Sequence, residues 1–164
     1  MGFGLTYLSL LGIIWLRYIL FSGVFWAAIW ARPEEKVGGF RLADRRPSRE
    51  TMWREARTSM AVSLIYAVPA AILIHAWKEG GTAIYAGPLS ALDWVWVPVS
   101  LLIYLFLHDT YFYWTHRVMH HPKLYGATHR THHLSKQPTP WAAFSFHPWE
   151  AIISAPFIPL MAFF

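Results

Sequence analysis

The stretch W-V-W-V-P-V-S-L-L-I-Y-L-F-L-H-D-T-Y-F-Y-W-T-H-R-V-M-H-H-P, residues 94–122, runs a long apolar segment straight into two histidines spaced four apart. Its first part, 94–114, contains Asp109 as the only fixed charge. At about 1.5 Å rise per residue, a helix of that length crosses the roughly 30 Å hydrocarbon core of a bilayer. The stretch therefore reads as a membrane span that delivers imidazoles to a polar surface. Two earlier segments have the same character. Residues 1–31 carry only Arg17, and residues 58–77 carry no fixed charge. A fourth apolar run begins at Ala151 and continues to Phe164. It contains Pro156 and Pro159, is short for a span, and is expected to stop inside a helix.

Charged residues make up 14% of the chain, against about 25% in soluble domains, and they are gathered in blocks. The expected fold is all-α: an integral membrane helical bundle of three to four spans. Residues 1–31 form the first span, 32–57 a basic loop with an interfacial helix, and 58–164 a membrane domain expected to be incomplete at its C-terminus.

Eight of the 14 Lys and Arg residues lie in 32–57, and Arg117, Lys123, Arg130 and Lys136 sit among the histidines. The opposite loop, 78–93, has one basic residue, Lys78. By the positive-inside rule, the basic loop and the histidines share the cytoplasmic side of a multi-pass protein, in a bacterial inner membrane or the endoplasmic reticulum. This alternation, rather than a basic patch on a soluble face, gives the net charge of +5, so nucleic acid is not an expected partner. The first apolar run is too long, and lacks the positive leader, for a signal peptide. Cysteine is absent, so histidine must carry most of any metal chemistry.

Local signals fill in the path. Pro33, Gly38, Gly39 and Pro47 break the basic loop into turns. Ser48 is a candidate helix cap. Pro69 lies mid-span, where neighbouring helices make a kink tolerable. Trp94 and Trp96 fit an interfacial belt. Pro122 should end the third long helix. Residues 123–127 then read as a turn around Gly126, and 128–135 as a second short helix closed by Gln137-Pro138-Thr139-Pro140.

His116 and His120 lie about 40° apart on one helix face, and His129 and His133 repeat that spacing with His132 alongside. Six imidazoles lie within residues 116–133, and five of them at these spacings exceed what an interfacial surface accumulates by chance. Neutral imidazole ligates Zn, Cu, Fe and Ni, and two helices offering such pairs can close on one metal or two. His116, His120, His129, His132 and His133 are the expected metal ligands. His121 faces away from His120, and His75, alone at the far end of a span, is read as interfacial. His108 is either a ligand or a hydrogen-bond donor to one. Asp109 either orients a ligand imidazole as a buried acid near the metal or pairs with Arg117 or another basic residue near the interface. His147 either bonds a carboxylate or faces water, and Glu150 either orients an imidazole or stays solvated. A zinc hydrolase is disfavoured because no H-E-x-x-H occurs.

The string from His108 to Pro122, with Leu124-Tyr125, His129-Arg130-Thr131-His132-His133 and Phe146-His147-Pro148-Trp149-Glu150, resembles the fatty acid hydroxylase/sterol desaturase superfamily. The match covers roughly the second half of the chain and marks 58–164 as a fatty acid hydroxylase-like domain. The resemblance implies a membrane oxidoreductase with a di-iron centre. It implies that His116 and His120 form one histidine box, and His129, His132 and His133 another. It also implies O2-dependent hydroxylation or desaturation of a sterol or fatty acyl C–H bond, with electrons from a donor such as cytochrome b5 or ferredoxin. Family members carry further box histidines after another membrane hairpin, and none follows His147 here. The alternative expectation is a truncated, non-catalytic module that binds metal or lipid.

Overall fold

A computed structural model describes residues 2–37, 46–84 and 87–164. The turns expected around Gly38 and Gly39 lie outside them. The described residues form an all-α membrane bundle, with eight α-helices and no strand. Three helices are long and apolar enough to cross a membrane. These are α1 (Phe3–Phe25, extended by a π-helical turn at Trp26–Trp30), α3 (Arg49–Lys78) and α4 (Ala91–Met119). The short α2 (Glu34–Val37) follows the first of them. Beyond α4 come α5 (Pro122–Thr128), α6 (Arg130–His133), a 3-10 turn (Pro140–Ala142), α7 (Pro148–Ser154) and α8 (Phe157–Met161).

The helix ends are set by local chemistry. Ser48 caps α3 as expected, accepting a hydrogen bond from the Thr51 amide at 3.1 Å. Ser90 and Asp93 close a reciprocal capping box at the start of α4. Gly80 ends α3 at φ +72°, where the Gly81 amide reaches the Ala76 carbonyl at 2.8 Å and the Gly80 amide reaches that of Trp77 at 3.0 Å. That pair of bonds is a Schellman ending, which needs the left-handed conformation glycine adopts without penalty. Gly80→Ala is expected to cost about 1 kcal/mol, read as a lower thermal midpoint in detergent. An unchanged midpoint would contradict it.

Among the described residues, the helix expected to start at Ser48 is not a separate interfacial one. Residues 49–57 join the span as one continuous helix, and Pro69 sits inside without ending it. One face of α3 explains why it is buried. Glu55, Ser59, Ser63, Ala67 and Ala71, spaced by four, are all fully buried. Small side chains at that period let neighbouring backbone approach closely, the usual solution where lipid offers no hydrophobic contrast. On one side α1 lies against α3, with Tyr7 and Trp15 donating to the Leu64 and Met60 carbonyls.

The segment after α6 inserts between α1 and α3. The Trp141 carbonyl accepts from both the Tyr18 hydroxyl and the Ser59 hydroxyl, each at 2.8 Å. Ser22 donates to the Pro140 carbonyl at 2.9 Å. Glu55 accepts from the Thr139 hydroxyl at 2.5 Å and from its amide at 3.3 Å. These bonds fix the stretch that leads to α7.

The fourth apolar run is two short helices rather than one. Pro156 has no amide hydrogen to extend α7, so the chain turns at Ala155–Pro156 before α8. The chain then turns again at Ala162, so its last residues do not lie in a helix. Tyr66 and Ser154 share a hydrogen bond of 3.0 Å, and the Ala83 amide donates to the Ala162 carbonyl at 2.8 Å. The pair α7–α8 is thereby fastened along α3 to the loop at its far end. By contrast α4 is almost bare: Met119 is its only buried residue.

Candidate metal centre

Two helical pieces and a kink build the histidine cluster. The last turn of α4 presents His116 and His120 on one face, with their Nε2 atoms 3.0 Å apart. After α4 ends at Met119, His121 turns the chain and caps α5 by accepting from the Lys123 amide. Pro122 then opens α5 as its first residue, where a missing amide hydrogen is harmless. Residues 123–127, expected as a turn, are therefore helical, and Gly126 lies within the helix. The expected single helix over 128–135 is cut short as well. His129 leaves helical geometry at φ −130°, and only Arg130–His133 continues as α6.

That break turns His129 inward. It is fully buried, at 0% exposure, against the rings of His116 (4.5 Å between centroids), His120 (4.7 Å) and His133 (4.7 Å). One ligand atom from each of His116, His120, His129 and His133 falls within a mutual distance of 4.8 Å. His132 lies beside this group rather than in it. Its ring is sandwiched between His129 at 5.3 Å and Phe146 at 5.2 Å.

The carboxylate of Glu150 approaches His129 Nδ1 at 3.1 Å, and Glu150 is itself buried, with 5% exposure. The approach is off the ring's N–H direction, so both ring nitrogens of His129 lack an aligned hydrogen bond. Buried, unsatisfied nitrogens are rare because each forfeits its hydration without replacement. A cation among them would satisfy both the orphan nitrogens and the nearby acid. In its absence the electrostatics are those of an uncharged pocket. Burial, reinforced by the neighbouring imidazoles, pushes His129 down to about 4. The same effects lower His132. Burial pushes Glu150 up to about 7, partly offset by the His147 backbone amide.

A pH dependence follows. A carboxyl whose folded pKa is raised contributes stability at low pH and loses it as pH rises through about 7. Glu150→Gln is expected to stabilise the metal-free protein at pH 8 by at most about 3 kcal/mol, read as a raised thermal midpoint, and to change it little at pH 5. A lowered midpoint at pH 8 would overturn this.

The remaining candidates fall outside the cluster. His108 stacks with Tyr104 and Phe112 and meets Phe157 edge-on at 5.5 Å. Asp109 is not a buried acid. Its side chain is 85% exposed and lies 3.4 Å from His108 Nδ1. Arg117, the alternative partner for Asp109, instead donates to the Tyr113 hydroxyl at 2.6 Å. His147 neither bonds a carboxylate through its ring nor points free, because it caps α7 by accepting from the Trp149 amide. Sequence reasoning missed Tyr125, whose ring touches those of His120, His129 and His133. The signal was present, since Tyr125, His129 and His133 follow one another at intervals of four.

Residues 101–164 match the fatty acid hydroxylase family model. The chain is similar to Delta(7)-sterol 5(6)-desaturase ERG3B of Gibberella zeae, with 42% identity over 77 residues, covering 47% of this chain and 24% of that protein. It is similar to lathosterol oxidase of Mus musculus, 39% identical over 62 residues, covering 38% and 21%. Methylsterol monooxygenase erg25A of Aspergillus fumigatus matches over 116 residues at 28% identity, covering 70% and 38%. The chain thus spans about a fifth to two fifths of the length of these relatives. No solved structure matches it.

Proposed function

Because this chain belongs to the fatty acid hydroxylase/sterol desaturase superfamily, we propose that it carries part of the metal site of a membrane oxidoreductase acting on a sterol or fatty acyl C–H bond with O2. The observation that carries the reading is the convergence of His116, His120, His129 and His133 on one small volume, with the buried nitrogens of His129 unsatisfied. The donor set fits a metal: all nitrogen, uncharged, with a carboxylate behind it. His116, His120, His129 and His133 would hold the ion or ions, with His132 the fifth candidate beside them. The family points to iron, as a di-iron centre. When bound, iron supplies the O2 reduction and the oxidising power for C–H cleavage.

The protein's part is placement and exclusion of water. Glu150 lies 3.1 Å from Nδ1 of His129, and a realigned bond from that nitrogen would leave the other free to ligate. Phe146 and Tyr125 wall the imidazoles on two sides. Phe112 and Tyr111 on α4 line the approach from the bilayer, where Phe112 packs against His116 at 5.5 Å. A lipid substrate enters laterally along this helix. Arg117, Lys123, Arg130 and Lys136 surround the cluster, so a donor protein of the cytochrome b5 or ferredoxin kind meets a basic face on the cytoplasmic side.

The test is metal analysis and turnover of the protein purified from its own membrane. Iron near two per chain, with O2 uptake that depends on added sterol or acyl lipid and a reductant, is the expected outcome. Full zinc occupancy without O2 uptake would overturn the reading.

A further inference from the structure

Away from the histidines, a cavity of about 390 Å³ opens where the end of α1 meets the start of α3. Its walls are Trp26, Met52, Trp53, Ala56 and Trp141, with Arg49 at the rim. That volume lies within the roughly 300–1,000 Å³ range of small-molecule sites. Three indoles reach it from three distant parts of the chain, and the shape is concave. Trp anchors of a simple interfacial belt stand outward singly instead.

The charge at the rim is one-sided. Arg49 and Trp53 are four residues apart on α3, so they share one face of the helix, and both line the cavity. Among the described residues, Arg49 makes no hydrogen bond or ion pair. Residues 46–57 contain four arginines against Glu50 and Glu55, and Glu55 is turned inward onto Thr139. The N-terminus of a long helix adds its positive end at the same place. Trp53 is 67% exposed, so the mouth is open to lipid.

We propose that this groove binds an anionic membrane phospholipid, with its phosphate on Arg49 and an acyl chain laid along Trp53, Trp26 and Trp141. The site is separate from the histidine cluster and does not depend on its metal. Its floor is shared with the core, however, because Trp141 is the residue whose carbonyl is held by Tyr18 and Ser59. An occupied groove therefore bears on the stretch that leads to His147 and Glu150.

The full protein in nanodiscs provides the test, with tryptophan emission as the readout and chain-brominated lipids as contact quenchers. Brominated phosphatidylglycerol is expected to quench more than brominated phosphatidylcholine at the same fraction of lipid. Arg49→Gln should weaken the phosphatidylglycerol excess about five-fold in apparent affinity, and Arg49→Lys should weaken it less. Trp53→Phe should remove Trp53's share of the excess signal and leave that of Trp26 and Trp141, with iron content unchanged in all three variants. Equal quenching by the two lipids, or an excess that survives Arg49→Gln, would overturn the proposal. So would a Trp53 that neither lipid reaches, which would mean that another part of the protein covers the groove.

Discussion

Replacing His129 with alanine is expected to lower metal affinity by more than about 100-fold, beyond the 10–100-fold typical of losing a residue that only orients a ligand. His129 is the hub of the cluster, in ring contact with His116, His120, His132 and His133. His108→Ala is the matching control, since its ring stacks on aromatics outside the group and should leave metal content intact. Metal per protein, measured by mass spectrometry after exhaustive dialysis, separates the two. Equal retention in His129→Ala and the parent would remove the basis for the site. Binding should also fail on acidification, because ligand imidazoles must be neutral.

Thr139→Val should destabilise the protein by about 2–4 kcal/mol. The hydroxyl of Thr139 and its amide are the partners of Glu55, a residue with no exposed surface. Losing the hydroxyl leaves a buried carboxylate with one weaker bond, and hydrogen bonds to charged groups are worth roughly 1.5–3 kcal/mol. The double variant Glu55→Leu, Thr139→Val removes the acid together with the hydroxyl, leaves the amides of residues 139 and 141 unpaired, and should recover part of the loss. Thermal unfolding in detergent reads the difference. A double variant no more stable than Thr139→Val would mean that shape, not the buried charge, sets the cost.

The three spans, the Ser48 cap and the histidine spacing were legible in the sequence because each rests on neighbours in the chain. Apolar length and i, i+4 repeats are local quantities. Glu55 was not legible as a buried group. It reads as one acid in a basic segment, and its burial depends on Thr139, 84 positions away. Asp109 failed in the opposite direction. Its neighbours suggested an acid near a metal, but α4 turns that side of the helix away from the rest of the chain. The two His-Pro pairs, His121-Pro122 and His147-Pro148, were read as a helix stop and a site candidate. Both are helix starts, with the imidazole accepting from the backbone and proline in the first helical position. The short α5 was missed because Gly126 was given the role of a turn, although nothing in the fold requires it to leave the helical region.

The four convergent histidines all come from one stretch, residues 116–133. In the terms of chain statistics the cluster is a short closed loop. Closure entropy grows only with the logarithm of loop length, and here the loop is already small. The imidazoles can meet as soon as α4 and the turn after it are laid down. Glu150 and Phe146 arrive only with the segment that threads between α1 and α3, so their contacts mature later. Synthesis thus sets an order: a loose metal-binding nest at the end of α4 first, then its closure by the chain that follows. A metal ion present at that moment would act as a folding clamp as much as a reagent.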